Sequence, residues 1–308
     1  MQKKTKDIRL MGTTIHLMVV HPHAQLILSE LEKKLYMYNQ RFSANDERSE
    51  LSQINLNAGI QPTRVHPELF ELIALGKYHS VQPHSSLNIA IGPLIKLWRV
   101  GFKDARKPEE EEIHHVLSLI DPKLIELDEV KGTVYLPSRG MEIDLGALAK
   151  GYIADRLADY MKDQGVASGL INLGGNVLTV GPALNRPDYY WRIGIQDPTA
   201  TRGQSVATVK IFNQSIVTSG IYERVLTIGN ETFHHIFDST TGHPIETDVA
   251  SLTIIAQHSV DCEIWTTRLF GLDARDILEQ IESIPLIEGV VVTKAGQLLM
   301  SRNVEVAN

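Results

Sequence analysis

Within Met141-Glu-Ile-Asp-Leu-Gly-Ala-Leu-Ala-Lys-Gly-Tyr-Ile-Ala-Asp155, a carboxylate, a glycine and a lysine follow one another at a spacing suited to phosphate and metal chemistry. The stretch reads as a strand ending at a carboxylate, a glycine turn, and a helix whose first turns carry Lys150. The unbonded N–H groups at the start of such a helix attract anions before any side chain contributes. Lys150 adds a movable positive charge, and Asp144 is expected to face the same mouth. A strand, glycine and helix with an acidic residue is also an ordinary capping device, so the junction needs its surroundings to acquire meaning.

The elements that must position this junction are mixed from end to end, with no linker, repeat or low-complexity segment, and one unit over 1–308 is expected. Residues 7–20 alternate like a hairpin around Met11-Gly-Thr, and helical spacing follows from Pro22 to Phe42 and from Pro67 to His79. Pro108 with Glu109 to Glu112 opens a third helix, acids in its first turn suiting the helix dipole. Val134 to Leu145 is predicted as a strand, Ala147 to Gln164 as the central helix closed by Gly165, and Gly169 to Gly181 as paired strands interrupted by Gly174-Gly175. Extended segments are expected at 190–196, 205–212, 215–218, 222–228, 232–238 and 250–256, then helices at Val260 to Phe270 and 273–282. A final hairpin turns at Lys294-Ala-Gly. Consecutive groups of strands point to an α+β fold with largely antiparallel sheets.

Composition narrows the chemistry. The 308 residues are 43% hydrophobic, enough for a large core, and the net charge of -7 is spread without the basic stripe that nucleic acid needs. Cys262 is the only cysteine, which excludes an internal disulfide and any cysteine-rich zinc site, so a bound metal is expected to have oxygen ligands. The N-terminus lacks an apolar signal core, no run of about 18 apolar residues occurs, and a cytoplasmic location is the expectation.

Further motifs follow in a fixed order: Met11-Gly-Thr-Thr, Ser49-Glu-Leu-Ser-Gln-Ile-Asn55, Ile91-Gly-Pro-Leu-Ile-Lys-Leu-Trp98, Asn172-Leu-Gly-Gly-Asn176, Thr218-Ser-Gly-Ile-Tyr-Glu-Arg224 and His235-Ile-Phe-Asp-Ser-Thr-Thr-Gly-His-Pro244. Together with the junction they resemble the ApbE family, the FAD:protein FMN transferases, from about Met11 to Gly271. The resemblance implies a T-fold-like core of β-sheet flanked by helices. It also implies Mg²⁺ held by the backbone oxygen of Ala147 and by Glu263 and Thr267 on a late helix. Residues at i and i+4 share a helix face, and hard oxygen ligands suit Mg²⁺. Relatives usually have Asp where this chain has Glu263.

By the same resemblance Met11, Asn45, Leu87, Asn88, Asp144, Lys150 and the His234–His235 segment line the FAD pocket. Relatives often place Tyr at position 45 and Asp at position 88, so weaker FAD binding is expected here, by about 1 kcal/mol for the lost stack. His235 is the candidate base, since imidazole titrates where a hydroxyl proton can be accepted, with Lys150 assisting at phosphate. Asp238 is expected to orient the ring or fix the following turn. The glycine pairs, Pro93 and Trp98 read as packing residues, and no NAD site is implied.

The function expected is Mg²⁺-dependent transfer of FMN from FAD to a threonine hydroxyl of an acceptor flavoprotein, with AMP leaving. Hydrolysis of FAD to FMN and AMP is a rival, as is an FAD-binding protein without turnover. The acceptor and the oligomeric state are not legible in the residues.

Overall fold

The computed structural model describes residues 1–307. Strands β1 (Gln2–Leu10) and β2 (Thr13–His21) form a hairpin whose two turn residues, Met11 and Gly12, have φ of 52° and 72°. Two left-handed residues in a two-residue turn match the right-handed twist of the strands they join. Helix α1 (Ala24–Phe42) buries Ile27, Leu28, Leu31, Leu35 and Tyr38 at helical spacing. Next come α2 (Glu50–Leu56), the short β3 (Thr63–Arg64), α3 (Pro67–Ser80), α4 (Gly92–Trp98), α5 (Glu110–Leu117), β4 (Glu126–Asp128) and β5 (Thr133–Tyr135). Helix α6 (Ala149–Asp163) enters the hairpin β6 (Ser168–Leu173) and β7 (Asn176–Val180), and β8 (Trp191–Gln196) pairs with β9 (Ser205–Ile211). The chain continues through β10 (Ser215–Gly220), β11 (Val225–Ile228), β12 (Glu231–His234), β13 (Val249–Ala256), α7 (Ser259–Arg268), α8 (Ala274–Ser283), β14 (Glu288–Thr293) and β15 (Leu298–Met300).

Eight strands make one sheet in the order β1-β2-β6-β7-β10-β13-β14-β15, antiparallel at every step. This is the helix-flanked antiparallel sheet that the strand grouping implied. One face packs Ile15, Leu17, Ile171 and Leu173 against the inward sides of α1 and α6, and further along Leu252 and Ile254 against α7 and α8. On the opposite face Val177, Ile216 and Ile255 meet Ile195, Val209 and Ile211 of the β8–β9 hairpin. Every residue of β13 is therefore buried.

Several boundaries differ from the pattern reading. Helix α5 starts with Glu109 as its cap, in a capping box with Glu112, so Pro108 lies outside the helix. Helices α2 and α4, seven residues each, fall below the length at which periodicity announces a helix. The extended reading at 232–238 holds only to His234, beyond which the chain bends. The largest correction is the strand expected from Val134 to Leu145, which ends at Tyr135. Beyond it the backbone bonds to a side chain: Asn55 Oδ1 accepts the Ile143 N–H at 2.8 Å and its Nδ2 donates to the Ile143 carbonyl at 3.0 Å. One asparagine thus does the work of a neighbouring strand, and the Asp144 N–H donates to the Ile89 carbonyl at 2.9 Å.

Candidate active site

The site forms where α6 crosses α7. Gly151, in the first turn of α6, lets them approach so closely that a Cβ there would stand 2.6 Å from the Ser259 carbonyl oxygen and 2.8 Å from Glu263 Cγ. That approach brings Lys150 Nζ to 3.6 Å from Glu263 Oε1. Glu263 is only 4% exposed, and the same oxygen accepts Asn176 Nδ2 at 2.9 Å, while Asn176 Oδ1 accepts the Ser259 hydroxyl at 2.8 Å. Asp155, one turn further along α6, accepts the first two amides of α7, Ser259 N at 2.7 Å and Val260 N at 2.9 Å. Burial raises its carboxyl to about 6 against the lowering effect of those two amides.

The Asp144 junction lies at the start of α6. Asp144 Oδ1 accepts the Gly146 N–H at 2.7 Å, and burial raises its carboxyl above the ordinary range, opposed first by that bond and then by the Arg224 charge. Among the described residues no acceptor meets the amides of Ala147, Lys150 and Gly151, so this helix start keeps open donors of the kind anions seek.

The two histidines after β11 separate by their bonding. His234 is used at both ring nitrogens: Nε2 donates to the Ile245 carbonyl at 3.1 Å and Nδ1 accepts the Ile236 N–H at 3.3 Å. His235 is held at one only, its Nδ1 lying 3.3 Å from the Arg224 carbonyl. A carbonyl can only accept, so Nδ1 carries the proton and Nε2 keeps a free lone pair. Burial, and then the Arg224 charge, lower its pKa to about 4, which leaves the ring neutral at neutral pH. Asp238 serves the turn rather than the ring: Oδ1 accepts the Thr240 N–H at 2.7 Å and its carbonyl accepts the Gly242 N–H at 2.8 Å. Trp98 Nε1 pins this turn by donating to the Gly242 carbonyl at 2.9 Å.

The other expected flavin contacts are more dispersed. Met11 occupies the β1–β2 turn, and Asn45 is exposed on the loop between α1 and α2, where its N–H donates to Ser43 Oγ at 3.2 Å. The Leu87 side chain is buried in the core. Asn88 donates to the Ile120 carbonyl at 2.8 Å and to Ser239 Oγ at 3.2 Å, and accepts the Ala90 N–H at 2.8 Å. Leu87 and Asn88 border a cleft with Ser85, Asp121 and Ser239.

The donor set at the crossing fits a hard cation. Glu263 Oε2, the Thr267 hydroxyl and the Ala147 carbonyl receive no hydrogen bond from a described residue, and all three are oxygens. Among the described residues no cluster of three His, Cys, Asp or Glu side chains offers an alternative centre. The residues missed from sequence are those that orient the others: Asn55, Asp155, Asn176 and Arg224. Each of the four ends a stretch already noticed, and the polar residue at that end was the available signal.

A model described as the ApbE family matches residues 11–291 of this chain. An FAD:protein FMN transferase of Klebsiella pneumoniae (strain 342) is 38% identical over 292 residues, 95% of this chain and 90% of that protein. A protein of the same name from Treponema pallidum (strain Nichols) is 31% identical over 278 residues, 86% of this chain and 76% of that one. Among solved structures, the ApbE protein from Thermotoga maritima superposes with a TM-score of 0.89 at 26% identity, covering 98% of this chain and 97% of that chain.

Proposed function

The chain belongs to the ApbE family, and on that footing we propose that it transfers the FMN half of FAD to a threonine hydroxyl of a partner flavoprotein and releases AMP. The observation that carries the reading is the α6–α7 crossing, where Lys150 stands 3.6 Å from Glu263 and the amides of Ala147, Lys150 and Gly151 at the start of α6 are unbonded. A dinucleotide pyrophosphate needs cations and N–H donors, and its transfer needs little else from the protein beyond alignment and a proton acceptor.

In this reading the acceptor threonine Oγ attacks the phosphorus on the FMN side of the pyrophosphate. A new P–O bond forms, the bond to the bridging oxygen breaks, and AMP departs with the bridging oxygen. The hydroxyl proton passes to Nε2 of His235, whose ring the Arg224 carbonyl keeps in the tautomer able to take it. Lys150 and the open amides at the start of α6 bind the phosphate oxygens as charge develops. The Ala147 carbonyl, Glu263 and Thr267 would hold a Mg²⁺ ion, which would supply charge neutralisation for the transfer. Asn176 and Asp155 touch no substrate; they hold Glu263 and the start of α7 in place.

Incubation with FAD and Mg²⁺, with and without a flavoprotein acceptor domain, tests the proposal. Flavin covalently attached to the acceptor threonine, with AMP released in equal amount, is expected. AMP released at full rate without acceptor would instead make the protein an FAD hydrolase.

A further inference from the structure

Arg224 closes the Thr218–Arg224 motif, which the sequence left without a role, and its placement gives it one. It lies on the exposed bend between β10 and β11, and its carbonyl receives Nδ1 of His235 at 3.3 Å. Its aliphatic stem rests on the loop after α4: a Cβ on Gly101 would stand 3.2 Å from Arg224 Cδ and 3.5 Å from its Cβ and Cγ. The stem is thus braced while the guanidinium has no carboxylate within ion-pair distance among the described residues. Its charge nevertheless lowers the pKa of both Asp144 and His235.

We infer that Arg224 holds the pyrophosphate of the incoming dinucleotide, facing Lys150 across the mouth, and that its backbone and side chain together set His235 against the reacting phosphate. This rests on the proposed function. A planar fork of five N–H donors suits two bridged phosphates better than a point charge does, and a solvated arginine without a carboxylate partner gives up no ion pair on binding. Because the imidazole is anchored on the main chain of the residue whose side chain grips the phosphate, base and substrate share one support. Substituting the side chain leaves the carbonyl anchor of His235 in place, which separates the two roles experimentally.

The test compares binding of FAD, ADP and riboflavin to the full chain and to its Arg224→Met and Arg224→Lys variants, followed by flavin fluorescence and calorimetry. FAD and ADP are expected to weaken tenfold or more in Arg224→Met and less in Arg224→Lys, with riboflavin changing less than twofold. Added guanidinium at millimolar concentration should restore part of the FAD affinity in Arg224→Met. The acid limb of the transfer rate should also move to higher pH in Arg224→Met, because a cation beside His235 has gone. FAD and ADP affinities within twofold of the parent in both variants would overturn the inference and leave the proposed function standing. A parent chain that binds neither FAD nor ADP would overturn both.

Discussion

Asn176 donates Nδ2–H to Glu263 Oε1 at 2.9 Å, so a residue of the β6–β7 hairpin fixes the direction of a carboxylate on α7. The Glu263 side chain is thereby held in one direction rather than left to swing.

Divalent metal binding is expected to require that arrangement. Glu263→Gln and Thr267→Ala should each abolish the Mg²⁺ dependence of AMP release, and Asn176→Ala should weaken Mg²⁺ by roughly 10–100-fold while keeping the ligands themselves. Titration calorimetry with Mg²⁺ checks this, and unaltered binding in all three variants would place the ion elsewhere. Glu263→Asp should tighten the site.

The histidine pair should divide by role. His235→Ala is expected to abolish transfer with FAD affinity within a few-fold, since proton removal belongs to the chemical step. His234→Ala should retain chemistry but lose stability by roughly 1–3 kcal/mol, because the Ile245 carbonyl and Ile236 amide are left unpaired. The folded pKa of His235, about 4, lies below its unfolded value, so its contribution to stability is present above pH ~6.5 and is lost as pH falls toward 4. Acid unfolding of His235→Ala should be shallower across that window; an identical profile would contradict the assigned burial.

Asn45→Tyr should slow FAD release with little effect on the melting temperature, since position 45 is exposed in a loop and an aromatic ring there offers a stacking surface. Stopped-flow flavin fluorescence measures the off-rate, and no change would place Asn45 outside the flavin pocket.

Gly151→Ala should force α6 and α7 apart. A methyl group 2.6 Å from a backbone oxygen has no room, so a loss of roughly 1–3 kcal/mol is expected in denaturant titration, with loss of Mg²⁺ affinity. A variant as stable as the parent would show that the helices can separate without cost.

Much of this was legible in the residues because the strand and helix periods are strong where elements are long: α1, α6 and β13 follow from their apolar spacing. The i, i+4 placement of Glu263 and Thr267 on one helix was equally readable. What could not be read was pairing across the chain. Asn55 closed a motif without a role and is the hydrogen-bonding partner of Ile143, 88 residues away. Asp155 drew no reading of its own at the end of the Met141–Asp155 stretch, and it caps another helix. His234 and His235 are alike in type and adjacent in sequence; His235 was chosen as the base from sequence, and the backbone partners show why the two differ.

The groups at the mouth are shared between two stretches that meet across the β7–β10 ladder, along the β8–β9 pair and where α6 crosses α7. Asp144, Lys150 and Asn176 precede the exposed residues 201–204; Arg224, His235, Glu263 and Thr267 follow them. A chain opened at that loop would leave two halves, each with an incomplete complement of groups, and flavin transfer would then report on their reassociation.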